Sequence, residues 1–190
     1  MMKRALVGFA AAAIAFVPAV SQAQAHRAPA SEPVKFAAGL GLALPQSDYA
    51  DGVSTGMHIE GTASKRLQAS PAFLRGELGF ARFGEKDNSG VTSNQIAAAL
   101  DLGYNFVSSS SVKPYVLGGL GAYRTSMSVD LGAGNATVND NKTNLGFNAG
   151  VGMRFKMGGH VGYVEGRYVD GGNWQGAKIA SLPIAFGVEF

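Results

Sequence analysis

The side chains best suited to chemistry in this sequence are a histidine and a glutamate two residues apart. His58 and Glu60 flank Ile59, so in an extended strand both point to the same face, where the carboxylate could orient the imidazole. A hydrolase would also need a nucleophile beside that imidazole, and the sequence around His58 assigns no serine to this role. The other histidines, His26 and His160, stand next to no carboxylate. We therefore predict no catalytic residues and no enzymatic activity.

The sequence gives little support for a metal or cofactor site. The chain contains no cysteine, which excludes a disulfide framework, a thiolate metal site and a cysteine nucleophile. Asp130, Asn135 and Asp140 could offer oxygen ligands to calcium, but their spacing matches no EF-hand loop. We expect no metal and no cofactor. We also expect no nucleic-acid partner, because the formal charge is only +3 and the chain has no long basic run.

Charged residues recur at alternate positions, opposite apolar ones. Around Asp101, for example, Ile96, Leu100 and Leu102 fall on one face while Gln95 and Asp101 fall on the other. Such period-two patterning predicts β-strands, and the segments are about as long as a tilted strand that crosses a membrane, roughly 9–11 residues. The predicted strands are Val34–Leu44, Gly56–Arg66, Ala72–Phe83, Asn94–Phe106, Lys113–Thr125, Lys142–Phe155, His160–Val169 and Ala177–Phe190.

The links between these segments alternate in length. Polar loops follow the first, third, fifth and seventh segments, the longest at 126–141, and short turns follow the others. This alternation predicts an all-β fold, an eight-stranded antiparallel up-and-down transmembrane β-barrel with its long loops at one rim. Period-two patterning alone would equally describe a soluble lipocalin-like barrel.

The first residues have the pattern of an export signal. Lys3 and Arg4 precede an apolar run that ends at Pro18, and Ala23-Gln24-Ala25 has the small-x-small pattern that signal peptidase recognises. The apolar run is too short to cross a bilayer as a helix. We predict a signal peptide at residues 1–25, a short flexible leader at 26–33 and the barrel at 34–190.

Glycine is unusually frequent, with 27 residues in a chain of 190, against a usual share of about 7 %. Many of these glycines lie inside apolar segments, as in Gly118-Gly119-Leu120-Gly121. Each would destabilise a helix by about 1 kcal/mol relative to alanine, whereas strands accept glycine where a sheet bends or packs closely. The composition therefore favours a small, strongly curved barrel.

The final segment carries the most specific pattern. It resembles the C-terminal strand of bacterial outer-membrane proteins, in which a terminal aromatic residue and alternating apolar residues form the assembly signal. Two further segments, Lys113-Pro114-Tyr115-Val116 through Gly121 and Val164-Glu165-Gly166-Arg167-Tyr168, resemble the Pro-Tyr-x-x-x-Gly-x-Gly and Glu-x-Arg-Tyr strands of the same proteins. The residues of the assembly signal would be Phe190, Val188, Phe186, Ile184 and Leu182.

From Val34 to Phe190 the chain thus resembles the small eight-stranded outer-membrane barrels of the OmpA/OmpX type. The resemblance implies a monomer in the outer membrane of a Gram-negative cell, with periplasmic termini and long extracellular loops. It also implies contact with outer-membrane lipid and lipopolysaccharide, and assembly by the barrel-assembly machinery. A peptidoglycan-binding domain of the kind that tethers larger members is not expected.

The interior of an eight-stranded barrel is just wide enough to be filled by side chains. We therefore expect the polar face to form a hydrogen-bonded plug, and the aromatic residues to form membrane girdles at the two rims. The predicted polar network of the lumen is His58, Glu60, Arg75, Glu77, Asp101, Arg154, Glu165 and Arg167. The predicted girdles are Tyr104, Phe106, Tyr115, Phe155 and Phe190 at one rim and Tyr123 and Tyr168 at the other.

The function that this reasoning favours is a structural or surface-interaction role with a plugged lumen. The alternative is a narrow porin-like transport pore, which the polar lumen supports. A lipid-modifying barrel enzyme and a soluble lipocalin-like binding barrel are less well supported, the former because the His-x-Ser pattern of lipid deacylases is absent.

Overall fold

The computed structural model of the chain describes residues 32–190, apart from 68–69, 88, 109–110 and 131–136. The predicted signal peptide and most of the leader lie outside the described residues. Each of eight antiparallel strands pairs with the next along the chain, and the first pairs with the last to close a barrel, which confirms the predicted fold. The strands are β1 Lys35–Gln46, β2 Val53–Arg66, β3 Ala72–Glu85, β4 Val91–Asn105, β5 Val112–Asp130, β6 Thr137–Met157, β7 His160–Trp174 and β8 Ala177–Glu189.

One helical turn, α1 Tyr49–Gly52, lies between β1 and β2. In the described part of the chain no helix has the length and apolarity needed to cross a bilayer.

The barrel carries its large apolar side chains on the outside. Leu40, Leu120 and Leu145 are 68, 73 and 85 % exposed, whereas the residues that alternate with them face inward and are small, polar or aromatic. A barrel that folds in water would bury such leucines and expose the charges. An apolar outer band around a polar interior is the arrangement of transmembrane strands, so the structure argues against the soluble lipocalin-like alternative.

The strands extend further than the sequence pattern predicts. The predicted loop 126–141 is wrong, because β5 and β6 remain paired from Ser126 to Asp130 and from Thr137 to Asn141. β7 likewise continues through Trp174, a residue that the sequence placed in a loop. Serines, asparagines and aspartates in these stretches are typical of loops, yet two long neighbouring strands satisfy each other's backbone groups and so remain regular.

The barrel has two distinct ends. At the end called here the turn end lie both ends of the barrel domain, near Lys35 and Phe190, and the links 67–71, 106–111 and 158–159. The opposite end, called the loop end, carries α1, the link 86–90, the ends of β5 and β6 and the tight β7–β8 hairpin. In that hairpin Gln175 and Gly176 both have positive φ, 49° and 90°, as a two-residue type I′ turn requires.

Glycines on the inner face make room for large inner side chains. Gly152 lies directly opposite Tyr115 on the neighbouring strand, and Gly187 directly opposite Tyr163. A Cβ atom added at Gly152 would lie 2.4 Å from the Tyr115 ring, and one at Gly187 would lie 2.3 Å from the Tyr163 ring. Each ring therefore occupies the space above a glycine, and close packing rather than curvature alone accounts for glycine at these positions.

Candidate functional site: the interior of the barrel

Arg75 on β3 is the first organising residue of the charged centre. Its Nη1 and Nη2 donate to the two carboxylate oxygens of Glu165 on β7, at 2.7 and 2.9 Å. Nε donates to Asp101 Oδ2 at 3.2 Å, and Nη2 also donates to Glu77 Oε2 at 3.3 Å. All four side chains are buried. Paired N–H···O bonds between a guanidinium and a carboxylate are among the strongest and most directional hydrogen bonds in proteins.

Arg167 on β7 joins the same centre from the other side. Its Nη1 lies 2.5 Å from Glu77 Oε2, its Nη2 3.0 Å from Glu60 Oε2 and its Nε 3.0 Å from Glu165 Oε1. Both arginines therefore share Glu77 and Glu165. Because these groups come from β2, β3, β4 and β7, the network crosses the interior from wall to wall, and its members polarise one another.

Three tyrosines and an asparagine complete the network. Tyr115 and Tyr163 donate from their hydroxyls to Glu165 Oε2 and Glu60 Oε1, each at 2.6 Å. Asn148 Nδ2 donates to Asp101 Oδ1 at 2.8 Å and, at 3.4 Å, to the Tyr123 hydroxyl. These bonds use acceptor positions that the guanidiniums leave open, as buried carboxylates require.

The prediction that Tyr115 and Tyr123 belong to the membrane girdles is wrong. Both side chains are 2 % exposed and point inward. Because an even number of positions separates them, they lie on one face of β5, but the spacing does not say which face. Nearby glycines were the missed signal: Tyr115 lies opposite Gly152, and the Tyr123 ring packs close to Gly121 and Gly146, where the lack of a side chain leaves room for a ring inside the barrel. The other predicted girdle residues, such as Tyr104 and Phe190, do lie on the outside.

His58 lies beside the network rather than beside a nucleophile. Its Nε2 is 3.0 Å from Glu60 Oε2, so the imidazole is oriented as the sequence predicts. No serine or threonine hydroxyl forms a hydrogen bond with this ring in the part of the chain that the structure describes. A cavity of about 20 Å³, lined in part by His58, Gln95 and Tyr123, lies next to the ring and has room for about one water molecule.

An apolar cluster, called here the apolar lid, lies inside the barrel at the loop end. Tyr49 of α1 meets Phe83 of β3 edge-on, with ring centroids 4.9 Å apart, and Phe83 is fully buried. The Tyr49 hydroxyl donates to Ser93 Oγ at 2.8 Å, and burial raises the pKa of that hydroxyl. The buried members of the lid are Ala43, Tyr49, Val53, Ala81, Phe83, Trp174 and Ile179.

Arg154 lies apart from the other predicted lumen residues, near the turn end. Its Nε donates to Glu189, and its Nη1 donates to Asn105 Oδ1 at 2.5 Å. The guanidinium stacks 4.2 Å from the Tyr115 ring centroid and 4.9 Å from that of Phe73. The structure thus brings seven of the eight predicted residues into one buried network and places Arg154 in a separate group at the mouth. Sequence analysis missed Glu189 because it stands within the apolar final strand.

Three carboxylates of the network approach one another closely enough to be considered as a metal site. Oxygens of Glu60, Glu77 and Glu165 lie within 4.8 Å of one another. The guanidiniums of Arg75 and Arg167 donate to these same carboxylates, so the protein itself supplies the positive charge. We assign no metal to the cluster.

The residues predicted as an assembly signal lie along the outer face of β8. Ile184, Phe186 and Phe190 are exposed, and Leu182 and Val188 are half-buried. The backbone of Phe190 exchanges hydrogen bonds with Phe36, at 2.8 and 3.2 Å, at the seam that closes the barrel. Recognition of these residues during assembly stays a prediction.

Comparison with known families decides which barrel this is. The family described as outer membrane protein beta-barrel domain matches residues 9–190. The chain belongs to this family. The outer-membrane barrel therefore has the location that its alternating strands predict. A search of curated proteins finds no significant sequence match.

Solved structures resemble the outer-membrane barrel along nearly its whole length. Neisserial surface protein A is 22 % identical, with 82 % of this chain and 95 % of that chain covered and a TM-score of 0.63. OprG of Pseudomonas aeruginosa is 17 % identical, with 82 % and 95 % covered and a TM-score of 0.52. Ail of Yersinia pestis is 14 % identical, with 83 % and 97 % covered and a TM-score of 0.51. At such identities the likeness shows the fold.

Proposed function

We propose that this outer-membrane barrel is non-conducting and non-enzymatic, and that it acts through its surfaces in a structural or surface-interaction role. The observation that carries the proposal is that three packed layers fill the interior between the turn-end mouth and the loop end. They are the Phe73, Tyr115 and Leu117 cluster, the layer of ion pairs and the apolar lid.

This filling opposes ion passage in two ways. A hydrated ion would have to replace the bidentate Arg75–Glu165 pair, and removing one partner of a buried ion pair costs about 3–5 kcal/mol. It would then meet the lid, where the Phe83 ring offers no polar group in place of water and Trp174 offers only its indole N–H donor. Each obstacle is independent of the other.

The surfaces left for interaction are the loop end and the outer wall. Arg82 and Arg124 lie on the outward faces of β3 and β5 near the loop end, where lipopolysaccharide phosphates would meet them. The loop end as a whole carries more acids than bases. The acids are Asp48, Asp51, Glu85, Asp87, Asp130, Asp140 and Asp170, and the bases are Arg82, Lys86, Arg124, Lys142 and Lys178.

Single-channel recording tests the non-conducting part of the proposal. The full chain, refolded and inserted into a planar bilayer, is expected to give no stepwise conductance, with a general porin inserted under the same conditions as positive control. The variant Phe83→Ala/Trp174→Ala removes the rings of the lid and leaves the ion pairs in place, so it is also expected not to conduct. Regular openings by the unaltered protein would contradict the proposal and support the narrow pore.

A lipid assay tests the non-enzymatic part. Lipopolysaccharide and phospholipids incubated with the folded barrel are expected to stay intact, as followed by mass spectrometry, because His58 has no hydroxyl partner among the described residues. Turnover that disappears in His58→Gln but persists in His160→Gln would show an enzyme and overturn this part of the proposal.

A further inference from the structure

The turn-end mouth of the barrel is a cup with an excess of positive charge. A cavity of about 480 Å³ opens there, bounded mainly by inward-facing residues near the strand ends. We call it the periplasmic cup, because it lies at the end that holds both ends of the barrel domain, and the resemblance described above implies periplasmic termini. Its basic side chains are Lys35, Arg66, Lys113, Arg154 and Lys156, and its acidic ones are Glu32 and Glu189.

The two acids of the cup are already engaged. Glu189 accepts from Arg154 and lies 3.8 Å from Lys35 Nζ, and Glu32 pairs with Arg66 at 3.1 Å. Lys113 and Lys156 form no ion pair with any described residue. Five bases against two acids leave the cup with a formal charge of +3.

The placement of Lys113 conflicts with strand pairing. Lys113 on β5 lies directly opposite Arg154 on β6, and Lys156 is the next inward residue along β6. Like charges directly opposite each other destabilise an antiparallel pair. Sequences that otherwise agree with their fold break such local rules at functional sites. The conflict is relieved when an anion lies between the three cations.

One of these cations is held rigidly. Arg154 is fixed by Glu189 and Asn105 and rests on the rings of Phe73 and Tyr115. Nη2 takes no part in these two hydrogen bonds and can donate to an oxyanion, at little cost in side-chain entropy because the guanidinium is already fixed. The lysines beside it are long and adaptable.

We infer that the periplasmic cup binds a soluble oligoanion, a short chain bearing several carboxylate or phosphate groups. The cup is bounded by inward faces of the strands, so an occupant enters from the aqueous side and not from the lipid. Its cations come from β1, β2, β5 and β6, so they match several charges along a chain better than one compact ion. The inference depends on the cup alone, and a conducting lumen would leave it intact.

Fluorescence anisotropy tests it with the full chain in nanodiscs of phosphatidylcholine. Fluorescein-labelled tetraglutamate is the carboxylate probe, and tripolyphosphate is the competing phosphate probe. We expect saturable binding that weakens as salt is raised. The variant Lys113→Gln/Lys156→Gln is expected to weaken binding at least about tenfold, because hydrogen bonds to charged groups are among the stronger ones. Competition by tripolyphosphate decides which anionic group is preferred.

The matched control is Lys65→Gln/Lys142→Gln, which removes the same charge outside the cup and should bind like the unaltered protein. The heat-dependent gel mobility of each protein establishes that it is folded. The inference is overturned if neither probe binds saturably, if the cup variant binds as well as the unaltered protein, or if both double variants lose affinity equally.

Discussion

At the scale of single residues, the interior holds more negative than positive charge. Four carboxylates, those of Glu60, Glu77, Asp101 and Glu165, surround the guanidiniums of Arg75 and Arg167. Loss of an arginine should therefore lower the free energy of unfolding more than loss of an acid does, because it leaves carboxylates facing one another without a counterion.

Arg75→Leu is expected to lower the free energy of unfolding by about 3–5 kcal/mol, the usual cost of breaking a buried pair. Glu165→Gln should lower the free energy of unfolding by less. An amide oxygen in the place of Oε1 can still accept hydrogen bonds from both guanidiniums, and the excess of negative charge falls. Urea unfolding in lipid vesicles, followed by the fluorescence of Trp174, measures both. Arg82→Leu, on the outer face, is the control and should change stability little. Equal losses in Arg75→Leu and Glu165→Gln would contradict this account of the charge balance.

The contact between Gly152 and Tyr115 gives a second prediction at this scale. The three nearest atoms to a Cβ at Gly152 all belong to the Tyr115 side chain, so Gly152→Ala should destabilise the barrel by about 1–3 kcal/mol, as overpacking does. The loss should shrink in a Tyr115→Leu background, where the ring is absent. Gly166→Ala is the matched control, because a Cβ there meets nothing within 4 Å. An equal loss in the two backgrounds would show that the ring is not the cause.

At the scale of strands, the sequence predicted the number of strands and the pairing order, but not where the strands end. The membrane imposes alternation between apolar and polar residues only where lipid touches the wall. Beyond that zone the outward faces of β5 and β6 carry polar residues, so Ser126 and Asn141 look like loop residues although they are paired. The inward orientation of Tyr115 and Tyr123 was not predicted for a related reason. Alternation shows that residues share a face, while the choice of face depends on glycines on a neighbouring strand.

The outer face of β5 offers a test of the membrane boundary itself. Leu120 and Ser128 lie on the same face of this strand, the first within the apolar band and the second in the extension beyond it. Leu120→Arg should destabilise the barrel by about 2–4 kcal/mol in phospholipid vesicles, as charges near the bilayer midplane do. Ser128→Arg should change stability by less than about 1 kcal/mol. If the two variants unfold at the same urea concentration, lipid does not surround Leu120.

At the scale of the whole molecule, charge is segregated along the barrel axis. The turn end is basic, while the interior and the loop end are acidic in balance. The sequence predicted the family and the location, because the final strand and two short motifs resemble those of outer-membrane barrels. It did not predict the periplasmic cup, because Lys35, Lys113 and Lys156 come from distant parts of the chain and only barrel closure brings them to one mouth. A fold of this kind hosts many functions, so the activity has to be sought at such sites.

Closure of the barrel also carries the last prediction. Phe190 pairs with Phe36 through its backbone, but its side chain is 73 % exposed on the outer wall, so the ring adds little to folded stability. Phe190→Ser should therefore leave the heat-dependent gel shift of the refolded protein intact, while it lowers the amount of folded barrel in the outer-membrane fraction of cells. Phe106→Ser, at another exposed aromatic of the same end, is the matched control and should assemble normally. A loss of the gel shift in refolded Phe190→Ser would assign the ring to stability. Equal accumulation of both variants in cells would remove Phe190 from the assembly signal.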